Sequence, residues 1–341
     1  MKKKHRNIPI FIPHMGCPNQ CVFCNQRSIS GHSSFREEQV KDEIDQALST
    51  TEEGSEVEIA FFGGSFTGIE RGLMLRLLTL AQSYVEEGRV TSIRLSTRPD
   101  YISKEILKLL SGFSVRHIEL GLQSMDDNVL SLSKRGHDAR TAQQACRAVV
   151  EAGFELVGQM MVGLPGATPE SEIQTAREIC RLGATAARIY PTVVFYDTPL
   201  CDMLKRGDYT PLTLEDAIVR TANAWEVFSA HSVPCIRIGI CASEDLVSEE
   251  RVAAGPNHPA LGELVLGECA YRKILEGLRN AGLLGKQVIL AVPPSQLSQA
   301  VGQRRRNLER LYRESGTEVR KMVRDSALTE ICVFPYPSSN N

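Results

Sequence analysis

Val57-Glu58-Ile59-Ala60-Phe61-Phe62-Gly63-Gly64-Ser65 reads as a buried strand stopped by a turn: an apolar run of strand length, then two glycines that permit a sharp bend. Residues 73–84 follow with helical spacing, so the unit is strand, loop, helix. The unit recurs on both sides. Residues 8–12 form a strand ahead of a helix over 37–48, and 91–97 leads to a helix at 103–110. Strand 116–122 precedes a helix whose apolar face is Ala142, Ala145, Cys146, Val149 and Val150. Residues 154–162 and 186–195 make a fifth and a sixth strand, and the helix after the sixth carries Leu214, Ala217, Ile218, Thr221, Ala222, Trp225 and Phe228 on one face. Such alternation specifies an α/β fold with parallel strands. Trp225 belongs to that core face rather than to a ligand platform.

The pattern changes near residue 240. Residues 241–262 are rich in Gly, Pro and Glu and read as loop, and a helix follows over 264–281. A small unit then reads strand 287–292, helix 294–301, turn, helix 306–315, strand 317–322, before a low-complexity tail at 338–341. The expected division is a first domain over 1–240 and a C-terminal α/β domain over 241–341.

With 341 residues and a net charge of -2, the whole-molecule field attracts no nucleic acid; only a local patch can. The basic start is not followed by a signal-peptide core, and nothing approaches the roughly 18–20 apolar residues that span a bilayer, so a cytoplasmic location is expected. Three of ten cysteines crowd into His14-Met15-Gly16-Cys17-Pro18-Asn19-Gln20-Cys21-Val22-Phe23-Cys24. A tight cluster in a large chain favours metal over disulfides. Thiolates hold iron–sulfur clusters, and cysteines at these gaps on a loop converge on adjacent corners of a cubane, leaving one iron open to a ligand. A structural zinc site of His14 with the three cysteines fits the same spacing. Cys146, Cys180, Cys201, Cys269 and Cys332 are expected to be small core hydrophobes, while Cys235 and Cys241 flank a short apolar run.

The remaining glycine, proline and polar clusters fall at the C-terminal ends of the strands: Gly63-Gly64-Ser65, Ser96-Thr97-Arg98-Pro99-Asp100, Gln123-Ser124, Gly163-Leu164-Pro165-Gly166 and Tyr190-Pro191-Thr192. In a barrel of parallel strands that rim binds ligands. Each cluster alone is explained by a turn, and Thr168 as a helix cap, but their sharing one rim with the cysteine loop is not.

These motifs resemble the radical SAM superfamily. The cysteine spacing with Phe23 is similar to its signature, and Phe61-Phe62-Gly63-Gly64-Ser65 to its glycine motif. Residues 96–101 (STRPDY), 119–124 (ELGLQS), 135–137 (RGH), 160–166 (MMVGLPG) and 189–192 (IYPT) resemble the radical SAM half of the Elongator catalytic subunit. The resemblance implies a partial (β/α)6 barrel of radical SAM type, a 4Fe–4S cluster on Cys17, Cys21 and Cys24, and S-adenosylmethionine (SAM) as cofactor. It implies that Phe23 packs near the adenine, that Gly63 and Gly64 let backbone approach the methionine amino group with Ser65 alongside, and that Gln123 and Arg135 hold the carboxylate and ribose side. Ser96 departs from relatives that carry Glu there. The implied reaction is reductive cleavage of SAM to methionine and a 5′-deoxyadenosyl radical, which abstracts hydrogen from substrate; an electron donor such as a flavodoxin or ferredoxin is implied with it. The Elongator subunit continues into an acetyltransferase domain for which this chain ends too soon, so acetyl transfer is not expected.

The terminal β-α-α-β unit resembles a KH RNA-binding core, in which a Gly-x-x-Gly turn clamps nucleic-acid backbone. Here the turn is Gly302-Gln303-Arg304-Arg305, without the second glycine, and from Gln303 to Arg324 eight Lys/Arg face three Glu. Arg304, Arg305 and Arg306 offer phosphate contacts; a solvated helix face explains the same bias. Residues 253–264 are placed to fold over the barrel mouth, with His258 as a possible substrate contact. Three functions therefore compete. One is a radical SAM enzyme acting on RNA, with tRNA as the substrate that the Elongator resemblance suggests. Another acts on a small molecule such as a tetrapyrrole, although coproporphyrinogen oxidases carry a further cysteine where Gln26 stands. The third is a zinc-stabilised RNA-binding protein without catalysis.

Overall fold

The computed structural model describes residues 5–12, 15–17, 21–24, 35–52, 54–240 and 250–337. His14, Gln26, Cys241 and the tail at 338–341 lie outside the described residues. The strands are β1 (His5–Ile12), β2 (Glu56–Gly63), β3 (Ser92–Thr97), β4 (Val115–Gln123), β5 (Glu155–Val162), β6 (Ala186–Pro191), β7 (Val194–Phe195), β8 (Cys235–Ile238), β9 (Val252–Ala254), β10 (Gln287–Val292), β11 (Glu318–Arg324) and β12 (Cys332–Pro335). The α-helices are α1 (Val40–Ser49), α2 (Arg71–Glu86), α3 (Lys104–Leu110), α4 (Asp127–Leu132), α5 (Ala139–Glu151), α6 (Pro169–Arg181), α7 (Pro199–Arg206), α8 (Leu214–Ala230), α9 (Leu261–Asn280), α10 (Leu297–Val301) and α11 (Arg306–Ser315).

Seven strands form one sheet in the order β1-β2-β3-β4-β5-β6-β8, every neighbouring pair parallel. The sheet is the curled half-barrel of the radical SAM type, with β1 and β8 as its edges and a C-terminal domain added. Its helix-facing side is apolar: Ile59 and Phe61 of β2, Ile93 and Leu95 of β3, and Ile118, Leu120 and Leu122 of β4 are buried against Leu77, Leu78, Cys146 and Val149. Most helices start where a side chain satisfies free backbone N–H groups. Glu70, Ser103, Asp126, Asp138, Thr198 and Thr213 accept such bonds, and Thr168 closes a full capping box with Ser171.

The expected elements are present with shifted ends, except in three places. The sixth strand stops at Pro191 instead of running to residue 195: Thr192 is drawn to the Val162 carbonyl through both its N–H and its hydroxyl, and Val194 and Phe195 pair with β9 instead. A seventh strand, β8, joins the sheet from the short apolar run at Cys235. The helix over 294–301 is a 3-10 turn followed by α10, because Pro293 and Pro294 withhold two N–H donors. Cys146, Cys201 and Cys269 are buried, Cys180, Cys235 and Cys332 partly so, and no disulfide joins any described cysteine. No described helix is long and apolar enough to cross a membrane.

The terminal unit forms a second sheet, β11-β10-β12, with β11 parallel and β12 antiparallel to β10. Helix α9 serves both layers. Leu261, Leu264, Val265 and Cys269 pack toward α8, whereas Tyr271, Ile274 and Leu278 enter the core under β10.

The lumen side of the barrel carries buried charges among apolar residues such as Phe62 and Met161. Glu58 is almost fully buried, and its carboxylate meets Arg94 (Nη2 at 3.0 Å), Ser92 (2.7 Å), His5 (2.8 Å) and His117 (2.6 Å). Burial alone would raise its pKa, but the His117 bond and the Arg94 charge outweigh that and hold it well below the carboxylate range. A carboxyl depressed on folding contributes stability above its unfolded pKa of about 4.3 and loses it as pH falls. Glu58→Gln should therefore cost about 3–5 kcal/mol at pH 7 by stranding Arg94. The urea midpoint of the variant should also fall less between pH 5 and pH 3 than that of the wild type.

Candidate active site

The three cysteines sit on a loop docked onto the end of β2 without room for side chains. A Cβ on Gly64 would lie 2.0 Å from the Met15 carbonyl oxygen, and one on Gly16 would lie 2.3 Å from that of Ser65. Backbone bonds seal the contact: Gly64 N–H donates to Ile12 O (2.9 Å) and Ser65 N–H to Met15 O (3.0 Å). At the other end of the loop, Val22 N–H donates to Ser133 O after α4, and Val22 O accepts from Leu200 in α7.

Cys17, Cys21 and Cys24 line one cavity of about 660 Å³, together with Phe23, Gly63, Gly64, Gln123 and Arg135. Among the described residues, no three His, Cys, Asp or Glu side chains are grouped to hold a metal ion. Two buried arginines stand behind the sulfurs. Arg135 donates to Cys21 Sγ (3.4 Å) and to Gly121 O (2.5 Å), and its Nε has no partner. Arg98 reaches both Cys17 Sγ and Cys21 Sγ at 4.0 Å, donates to Arg135 O at 2.7 Å, and is fixed by a fork onto Asp100. Both guanidiniums thus present positive charge to the sulfur side of the loop. Burial and the Arg135 charge push His137 down to about 4, so its ring is neutral at pH 7 and adds no further charge.

Other expected residues divide. Gln123 takes a left-handed backbone (φ 69°) and accepts from Gln159 Nε2 at 3.3 Å on the cavity wall. Ser65 does not line the cavity: it is fully buried, meets Thr97 Oγ1 (3.2 Å) and accepts from Arg98 N–H (3.0 Å), so it holds the Arg98 turn. Ser96 does line the cavity and is paired in register with Glu119. His258 is not on the cavity wall; its Nδ1 accepts from Ala260 N–H at the start of α9. Arg98 was not singled out from sequence, though its place in the polar turn after β3 marked it.

Residues 11–179 match the Radical SAM superfamily, and residues 184–270 match the Radical_SAM C-terminal domain. The chain belongs to the radical SAM superfamily. Its members are enzymes that use a 4Fe–4S cluster and SAM. An uncharacterized protein of Methanocaldococcus jannaschii is 30% identical over 224 residues, 62% of this chain and 68% of that protein. The tRNA uridine(34) acetyltransferase of the same organism is 28% identical over 200 residues, covering 53% of this chain but only 37% of its own length. Elongator complex protein 3 of Danio rerio is 27% identical with the same coverage, 53% and 37%. An archaeal Elp3 structure, from Methanocaldococcus infernus, superposes with a TM-score of 0.60 at 21% identity over 84% of this chain and 66% of that one, which shows a shared fold.

Because the radical SAM loop docks through bare glycine backbone, Gly64→Ala should displace it at a cost of about 1–3 kcal/mol. The expected result is a lower thermal midpoint and less iron retained per chain after anaerobic reconstitution. Gly277→Ala, inside α9 with its nearest neighbour 3.5 Å away, should lower neither.

Proposed function

We propose that this chain is a radical SAM enzyme that modifies RNA, with residues 1–240 as the catalytic domain and 241–341 as the domain that presents substrate. Cys17, Cys21 and Cys24 are the proposed cluster ligands. The observation that carries the reading is their meeting in one cavity with Gly63, Gly64 and two buried guanidiniums. The donor set fits the cluster: three soft thiolates, with no fourth cysteine among the described residues that line the cavity. When bound, cluster and SAM supply a radical that removes a hydrogen atom from substrate.

The chain's own residues bind and orient. Arg98 and Arg135 balance thiolate charge from behind. Gly63 and Gly64 place backbone without side chains at the methionine end of SAM, and Gln123, oriented by Gln159, offers its amide N–H to the carboxylate or ribose. Arg135 adds a positive charge on the same cavity wall, and Phe23 gives an apolar face for the adenine. Ser65 acts one step back, through Arg98.

The RNA assignment draws on relatives named for tRNA uridine(34) chemistry and on the terminal unit. There the β-α-α-β order closes over the turn Gly302-Gln303-Arg304-Arg305, where Arg304 and Arg305 are exposed with left-handed backbones (φ 51° and 65°). Arg306 is committed to Glu215, and Arg310 lies over Tyr271 (3.9 Å) while pairing with Glu268 and Glu314. The surface available to phosphate is thus narrower than the sequence bias of 303–324 suggests.

Anaerobic reconstitution with iron and sulfide, reduction and addition of SAM should yield 5′-deoxyadenosine from the wild type, and none from Cys17→Ala, Cys21→Ala or Cys24→Ala. Stoichiometric zinc with no product would overturn the enzyme assignment. Unmodified tRNA should bind more weakly as salt rises, and Arg304→Ala with Arg305→Ala should reduce the slope of log K against log salt by about 1 per lost phosphate contact. An unchanged slope would remove RNA from the proposal and leave the radical chemistry standing.

A further inference from the structure

Arg94, Glu119, Arg188 and Arg237 each stand alone in an apolar stretch of strand, as in Ile93-Arg94-Leu95, Ile118-Glu119-Leu120, Ala187-Arg188-Ile189 and Ile236-Arg237-Ile238. In β3, β4 and β6 period-two alternation turns such a lone charge into the lumen, and on β8 both Ile236 and Arg237 face the cavity. All four line the cavity below the cysteine rim.

Their pairing is incomplete. Glu58 holds Arg94 through Nε and Nη2, but Arg94 Nη1 is buried without a partner. Arg188 Nε lies 2.9 Å from Glu119 Oε2 in a buried ion pair. Arg188 is held in place by Tyr190 Oη (3.2 Å) and by the Phe62 ring (5.2 Å). Arg237 sits beside Arg188 in register, donates to Gly239 O at 3.3 Å, and has no ion-pair partner among the described residues. The lumen thus sets three guanidiniums against the two carboxylates of Glu58 and Glu119. Buried polar atoms left unpaired next to an open cavity are costly unless a ligand completes them.

We infer that the deep half of the lumen is a binding site for an anionic group of the substrate, a carboxylate or a phosphate, received by Arg237, Arg188 and Tyr190. This rests on the radical SAM reading only for calling the bound molecule the substrate. Arginine forks match the two oxygens of either anion, and Tyr190 adds a neutral donor. The site lies below the rim: Arg188 is level with Gln159 and Gly121, two residues before Gln123. At strand rise that is about 6–7 Å, so an anion anchored there holds the attached carbon beneath the SAM side of the cavity.

The test uses the full chain, cluster-reconstituted under anaerobic conditions, titrated calorimetrically with inorganic phosphate and separately with succinate at constant ionic strength. One probe should bind saturably, one per chain, and the tighter of the two identifies the anion. Arg237→Gln, on a short edge strand, should weaken it at least about tenfold, as loss of a charge-assisted bond does. Tyr190→Phe should weaken it less, and Lys108→Ala, on the exposed face of α3, not at all. Absence of saturable binding by both probes, or equal affinity in wild type and Arg237→Gln, overturns the inference. Lost anion binding with 5′-deoxyadenosine still formed would sink this site alone. Intact binding with no 5′-deoxyadenosine would support the site while removing the radical chemistry.

Discussion

Contact between the cysteine loop and the end of β2 is the constraint on which the site depends. It is backbone against backbone, with Gly16 under Ser65 and Gly64 under Met15. Glycine is needed because the carbonyl of the facing segment occupies the place of a Cβ, not because a turn must be flexible. Once the loop is seated, Cys17 and Cys21 come to Arg98, and Arg98 in turn is set by Asp100, Ser65 and the Arg135 carbonyl. A defect in the first contact would propagate through that whole chain of partners.

Two tiers of charge follow along the barrel axis. At the rim, Arg98 and Arg135 face sulfur; below it, arginines alternate with Glu58 and Glu119. Buried ion pairs contribute little net stability, since desolvation offsets most of their attraction. Apolar residues would have filled the lumen more favourably, as they do on the other face of the same strands. The charged residues of the lining are therefore better explained by what enters the barrel than by what holds it together.

Much of this was legible in the sequence. The βα alternation and helix caps such as Thr168 follow from local periodicity and hydrogen bonding, and so survive folding almost unchanged. Cys17, Cys21 and Cys24 announce themselves by spacing. What was less legible depends on long-range partners. Ser65 adjoins Gly64 in sequence, yet its side chain turns to Arg98, 33 residues away. The strand break at Thr192 comes from the Val162 carbonyl, and β8 is strand only because β6 offers it an edge. Among the arginines of the terminal unit, composition does not separate Arg304 and Arg305, which stay exposed, from Arg306 and Arg310, which Glu215 and Glu268 claim.

Helix α9 runs through two cores. At 20 residues it spans about 30 Å, with one half clamped to α8 and the other built into the terminal sheet. Asn307 fastens the start of α11 to the same helix by donating to Gly267 O at 2.8 Å. A rod shared in this way removes the hinge that a loop connection would leave. Under the proposed reading, in which the C-terminal unit presents substrate, it would act as a ruler, holding what it grips at a set offset from the barrel opening and selecting molecules by reach as well as by chemistry.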